Sequence, residues 1–162
     1  MENDVSVNLP VINQDVLSGV VRSVLSNEHI EVESWQIDQI GGGVGNPVSA
    51  GIYRVQGVAS ERSSKTPWSV ILKVIQSPEN VGEKDMGEGD DPTHWNYWKR
   101  EPLVYRSGLL DQLPEGLAAP ACYVVEELPG NVAHLWLEEI RDVYHGAWTL
   151  QRYCLGARHL GR

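Results

Sequence analysis

The chain has 162 residues, of which 41% are hydrophobic and 22% are charged, and its formal net charge at pH 7 is −9. This length fits one domain or one lobe of a larger protein, and the composition is typical of a folded globular chain. The acidic balance argues against nucleic acids and anionic membranes as partners, since both require a basic surface. The sequence has no long apolar segment, its polar acidic start is unlike a signal peptide, and its two cysteines make neither a disulfide framework nor a zinc set. We therefore expect a cytoplasmic protein.

The N-terminal half predicts one helix followed by three strands. Apolar residues recur at helical spacing between residues 13 and 25. A β-rich stretch from residue 30 to residue 40 is followed by a glycine-rich connection that begins with residues 41–47. A strand pattern resumes at Ile52, so the two strands are expected to form a hairpin. Residues 60–67 are polar and predict a turn. Residues 68–75 have the strongest strand pattern in the chain, with Lys73 as its single cation.

The C-terminal half predicts two further strands between two helices. Residues 76–92 are rich in glycine and acidic residues and predict a mobile loop. Residues 95–113 predict a helix that Pro102 either kinks or restarts just before that position. Residues 121–128 and 132–138 predict strands joined by a turn at residues 129–131, and residues 144–160 predict the last helix. The order of elements predicts an α+β fold with a five-stranded antiparallel sheet.

The glycine-rich connection does not match the two best-known phosphate-binding motifs. A dinucleotide fingerprint requires a third glycine at position 48, which is Val48, and a helix afterwards. A Walker A loop requires Gly-Lys-Ser/Thr, which does not occur in the chain. Two interpretations remain: a loop whose backbone N–H groups cover phosphates, or a hairpin turn that needs positive φ angles.

Lys73 lies within an apolar strand, where a lysine is costly unless its ammonium has an anionic partner or reaches solvent at a sheet edge. Glu101, on the helix that follows, is the candidate partner, and we predict an ion pair between the two. Residues 133–140 then read as an apolar strand running into a short acidic link. A glycine loop, a strand lysine, a helix glutamate and two more strands occur in this order in the amino-terminal lobe of protein kinases.

Residues 41–55, 70–74, 97–110 and 121–142 resemble the amino-terminal, nucleotide-binding lobe of aminoglycoside-phosphotransferase-like kinases. The resemblance implies a kinase-type helix packed on the sheet, with flanking helices outside the lobe. It also implies three regions: a leader and helix at residues 1–28, the lobe itself at residues 29–140, and a hinge exit with the start of a truncated second-lobe helix at residues 141–162.

The resemblance implies ATP and Mg²⁺ as cofactors and assigns roles to individual residues. Lys73 would hold the α- and β-phosphates, and Glu101 would orient Lys73. The carbonyl of Glu138 and the N–H of Ile140 would bracket adenine, with Leu137 in the gatekeeper position. The residues expected to cover the triphosphate are Gly41, Gly42, Gly43, Gly45 and Ser49. The complete enzyme would phosphorylate a hydroxyl group on an aminoglycoside-like or other small-molecule acceptor.

The chain departs from the family pattern in its catalytic residues. The family uses a His-Gly-Asp loop, whereas His145 and Gly146 are followed here by Ala147. We therefore expect no catalytic residue and no metal ligand in this chain, with the magnesium ligands in a lobe that the chain lacks. For the lobe alone we expect no phosphotransferase activity, weak or absent ATP binding, and self-association through an exposed apolar face.

Other chemistries have little support in the sequence. The five histidines are scattered and predict no metal site, and no nucleophile elbow occurs. The alternative function is a non-catalytic protein-interaction module derived from such a lobe, with exposed tryptophan and leucine side chains as its contact surface. A plain α+β domain with coincidental motifs is a third interpretation.

Overall fold

A computed structural model describes residues 9–42, 46–82, 90–141 and 146–160. These residues form an α+β fold with a five-stranded antiparallel sheet, which confirms the fold class predicted from the sequence. The elements, in chain order, are α1 (Gln14–Leu25), β1 (Glu31–Gly41), β2 (Ser49–Glu61), β3 (Ser64–Gln76), α2 (Arg100–Arg106), β4 (Cys122–Leu128), β5 (Val132–Leu137) and α3 (Leu150–Leu160). Short 3₁₀ turns occur at Pro78–Val81 and Leu109–Gln112.

Helix α1 begins and ends where its sequence predicts. The side chain of Asn13 caps the helix by accepting a hydrogen bond from the Asp15 N–H at 2.9 Å. Ser26 ends the helix in the left-handed conformation, with φ of 50°. Leu17, Val20 and Val21 are fully buried, so the apolar face of the helix packs on the sheet.

Residues 60–67 are not the polar turn that the sequence predicts. Strand β2 continues to Glu61 and β3 begins at Ser64, and these two residues are paired across the hairpin. The turn is therefore confined to residues 62–63, with φ of 55° at Arg62. Polar side chains mark these strand ends because they lie at the exposed end of the hairpin, where no core requires apolar residues.

The helix predicted for residues 95–113 is much shorter than expected. Helix α2 spans Arg100–Arg106, so it restarts just before Pro102, which is one of the two outcomes predicted for this proline. Proline is tolerated in the first turn because the N–H groups there need no helical partner. Gly108, with φ of 71°, then separates the helix from a 3₁₀ turn.

The other boundaries agree with the sequence apart from the last helix. Strands β4 and β5 match their predicted ranges to within a residue, and Gly130 and Asn131 turn the chain between them with positive φ. Helix α3 begins at Leu150, and residues 146–149 are not helical. Residues 142–145, and residues 83–89 of the predicted acidic loop, lie outside the described part of the chain.

The strand order is β1-β2-β3-β5-β4, with every pair antiparallel, so β3 is the central strand. Each face of the sheet carries its own apolar cluster, as the alternation of side chains along a strand requires. The α1 face buries α1 together with Val55, Val70, Leu72 and Trp136. The opposite face, hereafter the Lys73 face, buries Ile75, Leu135 and Leu137 beneath Trp98.

Candidate functional site

Lys73 lies on the central strand of the sheet and faces away from α1. Its neighbours along β3, Leu72 and Val74, belong to the α1 cluster, so alternation directs Lys73 to the other face. Its partners across the sheet are Ile52 on β2 and Leu135 on β5. The Lys73 side chain is 25% exposed, so its ammonium is partly withdrawn from solvent but remains reachable.

Glu101 is the second residue of α2 and is the anionic partner of Lys73. The Lys73 Nζ donates a hydrogen bond to the Glu101 Oε2 at 2.6 Å, which confirms the ion pair predicted from the sequence. A charge-assisted hydrogen bond of this length fixes both side chains. The pair therefore links the central strand to the first turn of α2.

The first part of the glycine-rich connection lies beside Lys73. Gly41, the last residue of β1, pairs with Ile52, and Ile52 pairs in turn with Lys73, so these three residues form one row across the sheet. Gly42 has φ of 86°, and a Cβ added there would lie 2.7 Å from the Gly51 Cα. Both the backbone angle and the close approach therefore require glycine at position 42.

The second part of the connection is tied to β3 by backbone hydrogen bonds. The Gln76 N–H donates to the Val48 carbonyl at 2.9 Å, and the Ser49 N–H donates to the Asn46 carbonyl at 3.2 Å. The Ser49 side chain is buried and lines a cavity on the α1 face with Tyr53, rather than the face that carries Lys73. The predicted site residues Gly43 and Gly45 lie outside the described residues.

The link after β5 carries the two residues predicted to bracket adenine. Leu137 ends β5 and pairs with Ile71, two residues before Lys73. The Glu138 N–H donates to the Ala121 carbonyl at 2.8 Å. Within the described residues, the Glu138 carbonyl and the Ile140 N–H have no hydrogen-bond partner. Two backbone groups at the end of the central strands thus remain available to a ligand.

An arginine–glutamate cluster at this link was not predicted from the sequence. The Glu139 carboxylate accepts hydrogen bonds from the Arg54 Nε at 2.8 Å and from the Arg141 Nη2 at 3.2 Å. Burial of Glu139 opposes its ionisation, but Ser69, Arg141 and Arg54 together lower its pKa below the usual value. The cluster holds the link against β2, and the 85-residue separation of Arg54 and Glu139 left no local signal in the sequence.

The α1 face carries a buried polar group of its own. The Trp136 Nε1 donates to the Glu126 Oε2 at 2.9 Å, and the His134 Nδ1 lies 3.7 Å from the same oxygen. Burial lowers the pKa of His134, although the Glu126 charge acts in the opposite direction. His134 is therefore held neutral at pH 7 within the core.

The site offers a cation and backbone groups rather than a metal-binding cluster. Within residues 9–42, 46–82, 90–141 and 146–160, no group of three or more His, Cys, Asp or Glu side chains could hold a metal ion. In the same residues, no helix is long and apolar enough to cross a membrane.

Comparison of the chain with protein-family models, with curated proteins and with solved structures finds no match. The geometry of the site is therefore the basis for any function assigned to the chain.

Proposed function

We propose that this chain is the ATP-binding lobe of a small-molecule phosphotransferase, which phosphorylates a hydroxyl group of an aminoglycoside-like or other small acceptor. The observation that carries the proposal is the 2.6 Å ion pair between Lys73 on β3 and Glu101 on α2. In protein kinases a lysine on the third strand pairs with a helix glutamate and binds the nucleotide phosphates. The position of each partner in the order of elements supports the same role here.

The glycine-rich connection supports this role because it adjoins the ion pair. Gly41 and Lys73 flank Ile52 in one row across the sheet, so a triphosphate held by Lys73 would lie beneath the connection. Backbone N–H groups in glycine-rich segments approach phosphates closely because no Cβ intervenes. The connection would thus supply donors and Lys73 the positive charge.

Strands β2 and β3, together with the link that follows β5, supply the features that an adenine ring requires. Ile52 and Ile71 share the Lys73 face and offer an apolar surface to the ring. The Glu138 carbonyl would accept a hydrogen bond from the adenine amino group, and the Ile140 N–H would donate one to a ring nitrogen. Backbone groups of this kind fix the orientation of a flat base.

Phosphoryl transfer requires more than these residues provide. Mg²⁺, when bound, neutralises charge on the transferred phosphoryl group. The described residues hold no acidic cluster that fits its coordination, and the one His-Gly pair in the sequence, His145-Gly146, is followed by Ala147 and lies too close to the hinge to be the catalytic loop. We therefore propose that a second lobe supplies the base and the metal ligands, and that this chain alone has no phosphotransferase activity.

Nucleotide binding tests the proposal, with a matched pair of lysine variants on the same strand. We expect ATP at millimolar concentration to shift the backbone amide NMR signals of Gly42, Lys73 and Ile140. Lys73→Met should weaken ATP binding at least about tenfold, because the triphosphate loses the ammonium that lies in one row with the glycine-rich connection. Lys65→Met is the control, because Lys65 also lies on β3 and forms a 2.7 Å ion pair, with Glu33, at the far end of the strand.

The two variants separate a specific site from general electrostatic attraction. Equal weakening by Lys65→Met and Lys73→Met would mean that ATP responds only to net charge. No amide shift at about 10 mM ATP, where even a weak site of about 1 mM dissociation constant is mostly filled, would contradict the proposal.

A second candidate function, a protein-interaction module, is supported by α3 and the residues before it. Trp148, Leu150, Tyr153 and Leu155 are all exposed, although each is a large apolar side chain. Exposed apolar patches often mark interaction surfaces. Absence of ATP binding in the experiment above would favour this candidate over the first.

A further inference from the structure

A cavity of about 530 Å³ lies beside α2, on the side of the glycine-rich connection. Asn46 and Val48 form its wall at the connection, and Glu101 forms its wall at the helix. Ile75 and Trp98 close it from the sheet. Its volume falls within the range of small-molecule sites, which is about 300–1,000 Å³.

Three aromatic side chains from one short segment line this cavity: Trp95, Tyr97 and Trp98. Trp95 is 68% exposed, so its indole ring is presented to solvent rather than used in the core. Trp98 is 4% exposed, and its indole N–H faces the Asp90 carboxylate but makes no hydrogen bond of normal geometry within the described residues. A buried donor of this kind normally finds a partner, which a ligand in the cavity would supply.

The two charged side chains that line the cavity already have hydrogen-bond partners. The Arg100 guanidinium donates to the carbonyls of Trp95 and His94 at 2.9 and 2.8 Å, and the Glu101 carboxylate is neutralised by Lys73. Asn46, by contrast, brings a neutral amide to the wall. The cavity therefore offers aromatic faces and neutral polar groups, beside a glutamate that Lys73 neutralises and an arginine whose Nη1 and Nη2 donate to backbone carbonyls.

We propose that this cavity binds the ring of a neutral pyranose sugar. A pyranose presents an apolar C–H face, which packs on an aromatic ring, and a rim of hydroxyl groups, which exchange hydrogen bonds with amides, carboxylates and an indole N–H. A cationic ligand would find Glu101 already neutralised by Lys73, and an anionic ligand would have to displace two backbone carbonyls from Arg100. The cavity shares Glu101 and one side of the glycine-rich connection with the proposed ATP site, but its aromatic lining does not require bound nucleotide.

NMR titration of the full chain with methyl β-D-glucopyranoside, without nucleotide, tests the proposal. The chain has six tryptophans and therefore six indole N–H signals, each assignable by substitution. We expect the Trp95 and Trp98 signals to move with a dissociation constant of roughly 1–10 mM, while the Trp148 signal stays in place. Trp95→Ala should weaken binding at least about tenfold, since it removes the exposed stacking surface.

Trp148→Ala is the matched control, because Trp148 is also exposed and lies in an aromatic contact with Tyr153 outside the cavity. Both variants remove exposed rings, so neither is expected to unfold the chain. The proposal is overturned if no indole signal moves at about 50 mM sugar, or if the two variants weaken binding equally. Tighter binding of D-glucosamine or D-glucuronate than of the neutral sugar would also overturn it, because the cavity would then select a charge. The titration uses neither nucleotide nor the Lys73→Met variant, so failure here leaves the ATP proposal standing.

Discussion

The two ends of β3 carry lysine–glutamate ion pairs of similar length. The two pairs differ in their exposure to solvent and in the residues that surround them. At one end Lys73 contacts Glu101 at 2.6 Å, and at the other Lys65 contacts Glu33 at 2.7 Å. Lys73 is 25% exposed and links the central strand to a helix across an apolar cluster, whereas Lys65 is 69% exposed and links a hairpin end to the edge strand.

The difference shows that a short distance between opposite charges does not by itself indicate a site. Exposed pairs such as Lys65–Glu33 contribute little, because water screens them and both long side chains lose rotamer freedom. The Lys73 pair differs because a positive-φ glycine and an apolar surface lie beside it, and because two backbone groups after β5 have no hydrogen-bond partner within the described residues. These neighbours, rather than the ion pair alone, make the Lys73 end a candidate site.

The largest effect that we expect tests what fixes the Lys65 end in place. Gly57 pairs with Trp68, three residues from Lys65, and a Cβ added at Gly57 would lie 2.0 Å from the Ser34 carbonyl oxygen. This contact is with backbone, so β1 would have to shift to admit a methyl group. Gly57→Ala should therefore lower the free energy of unfolding by about 3 kcal/mol, measured by urea denaturation.

Gly19→Ala is the control for this prediction. Gly19 is an exposed helical residue whose added Cβ meets no atom within 4 Å. This variant should raise the free energy of unfolding by about 0.5–1 kcal/mol, because alanine favours helix. If Gly57→Ala were as well tolerated as Gly19→Ala, backbone packing would not be what holds this end of the sheet.

The sequence predicted the fold where side-chain patterns are local. Apolar spacing located α1, and β-branched runs located the central strands, because burial on one face imposes a period that can be read directly. The prediction of a polar turn at residues 60–67 was wrong because exposed strand ends have the same composition as turns. The helix at residues 95–113 was too long because apolar residues in its irregular parts, such as Trp98, still pack into the core.

The candidate site could be predicted only in part for a similar reason. Lys73 and Glu101 were found because each is unusual in its own element, and their order along the chain suggested the pairing. The Arg54–Glu139 contact joins residues 85 positions apart, and the cavity forms where the aromatic residues before α2 meet the glycine-rich connection, so neither arrangement leaves a local signal in the sequence. Contacts of this kind can be predicted only when the register of the paired strands is known, and the register cannot be read from the sequence alone.

The second effect sharpens the comparison of the two ion pairs directly. In a double-mutant cycle, Lys73→Met and Glu101→Gln should show a coupling of about 1 kcal/mol in the free energy of unfolding, since the pair is partly withdrawn from water. The matched cycle of Lys65→Met and Glu33→Gln should show no coupling above experimental error. Equal couplings in the two cycles would remove the energetic distinction between the ends of β3.

The third prediction uses pH to lower the stability of the sheet beside Lys73. The titrating group is His134, which lies on the opposite face of the sheet. His134 on β5 pairs with Val74, the neighbour of Lys73, and its only described ion-pair partner is Glu126 on β4. Burial lowers its pKa below the ordinary value of 6.5 despite that carboxylate.

As pH falls below about 6.5, the unfolded chain therefore binds a proton before the folded chain does, so the free energy of unfolding must decrease. Carboxyl groups with lowered pKa values, such as Glu139, lose their contributions to stability only at lower pH, below the ordinary glutamate pKa of 4.5. We expect urea denaturation to show a smaller free energy of unfolding at about pH 5.5 than at about pH 7, and His134→Gln to flatten this dependence. An equally steep dependence in His134→Gln would mean that another group accounts for the acid sensitivity.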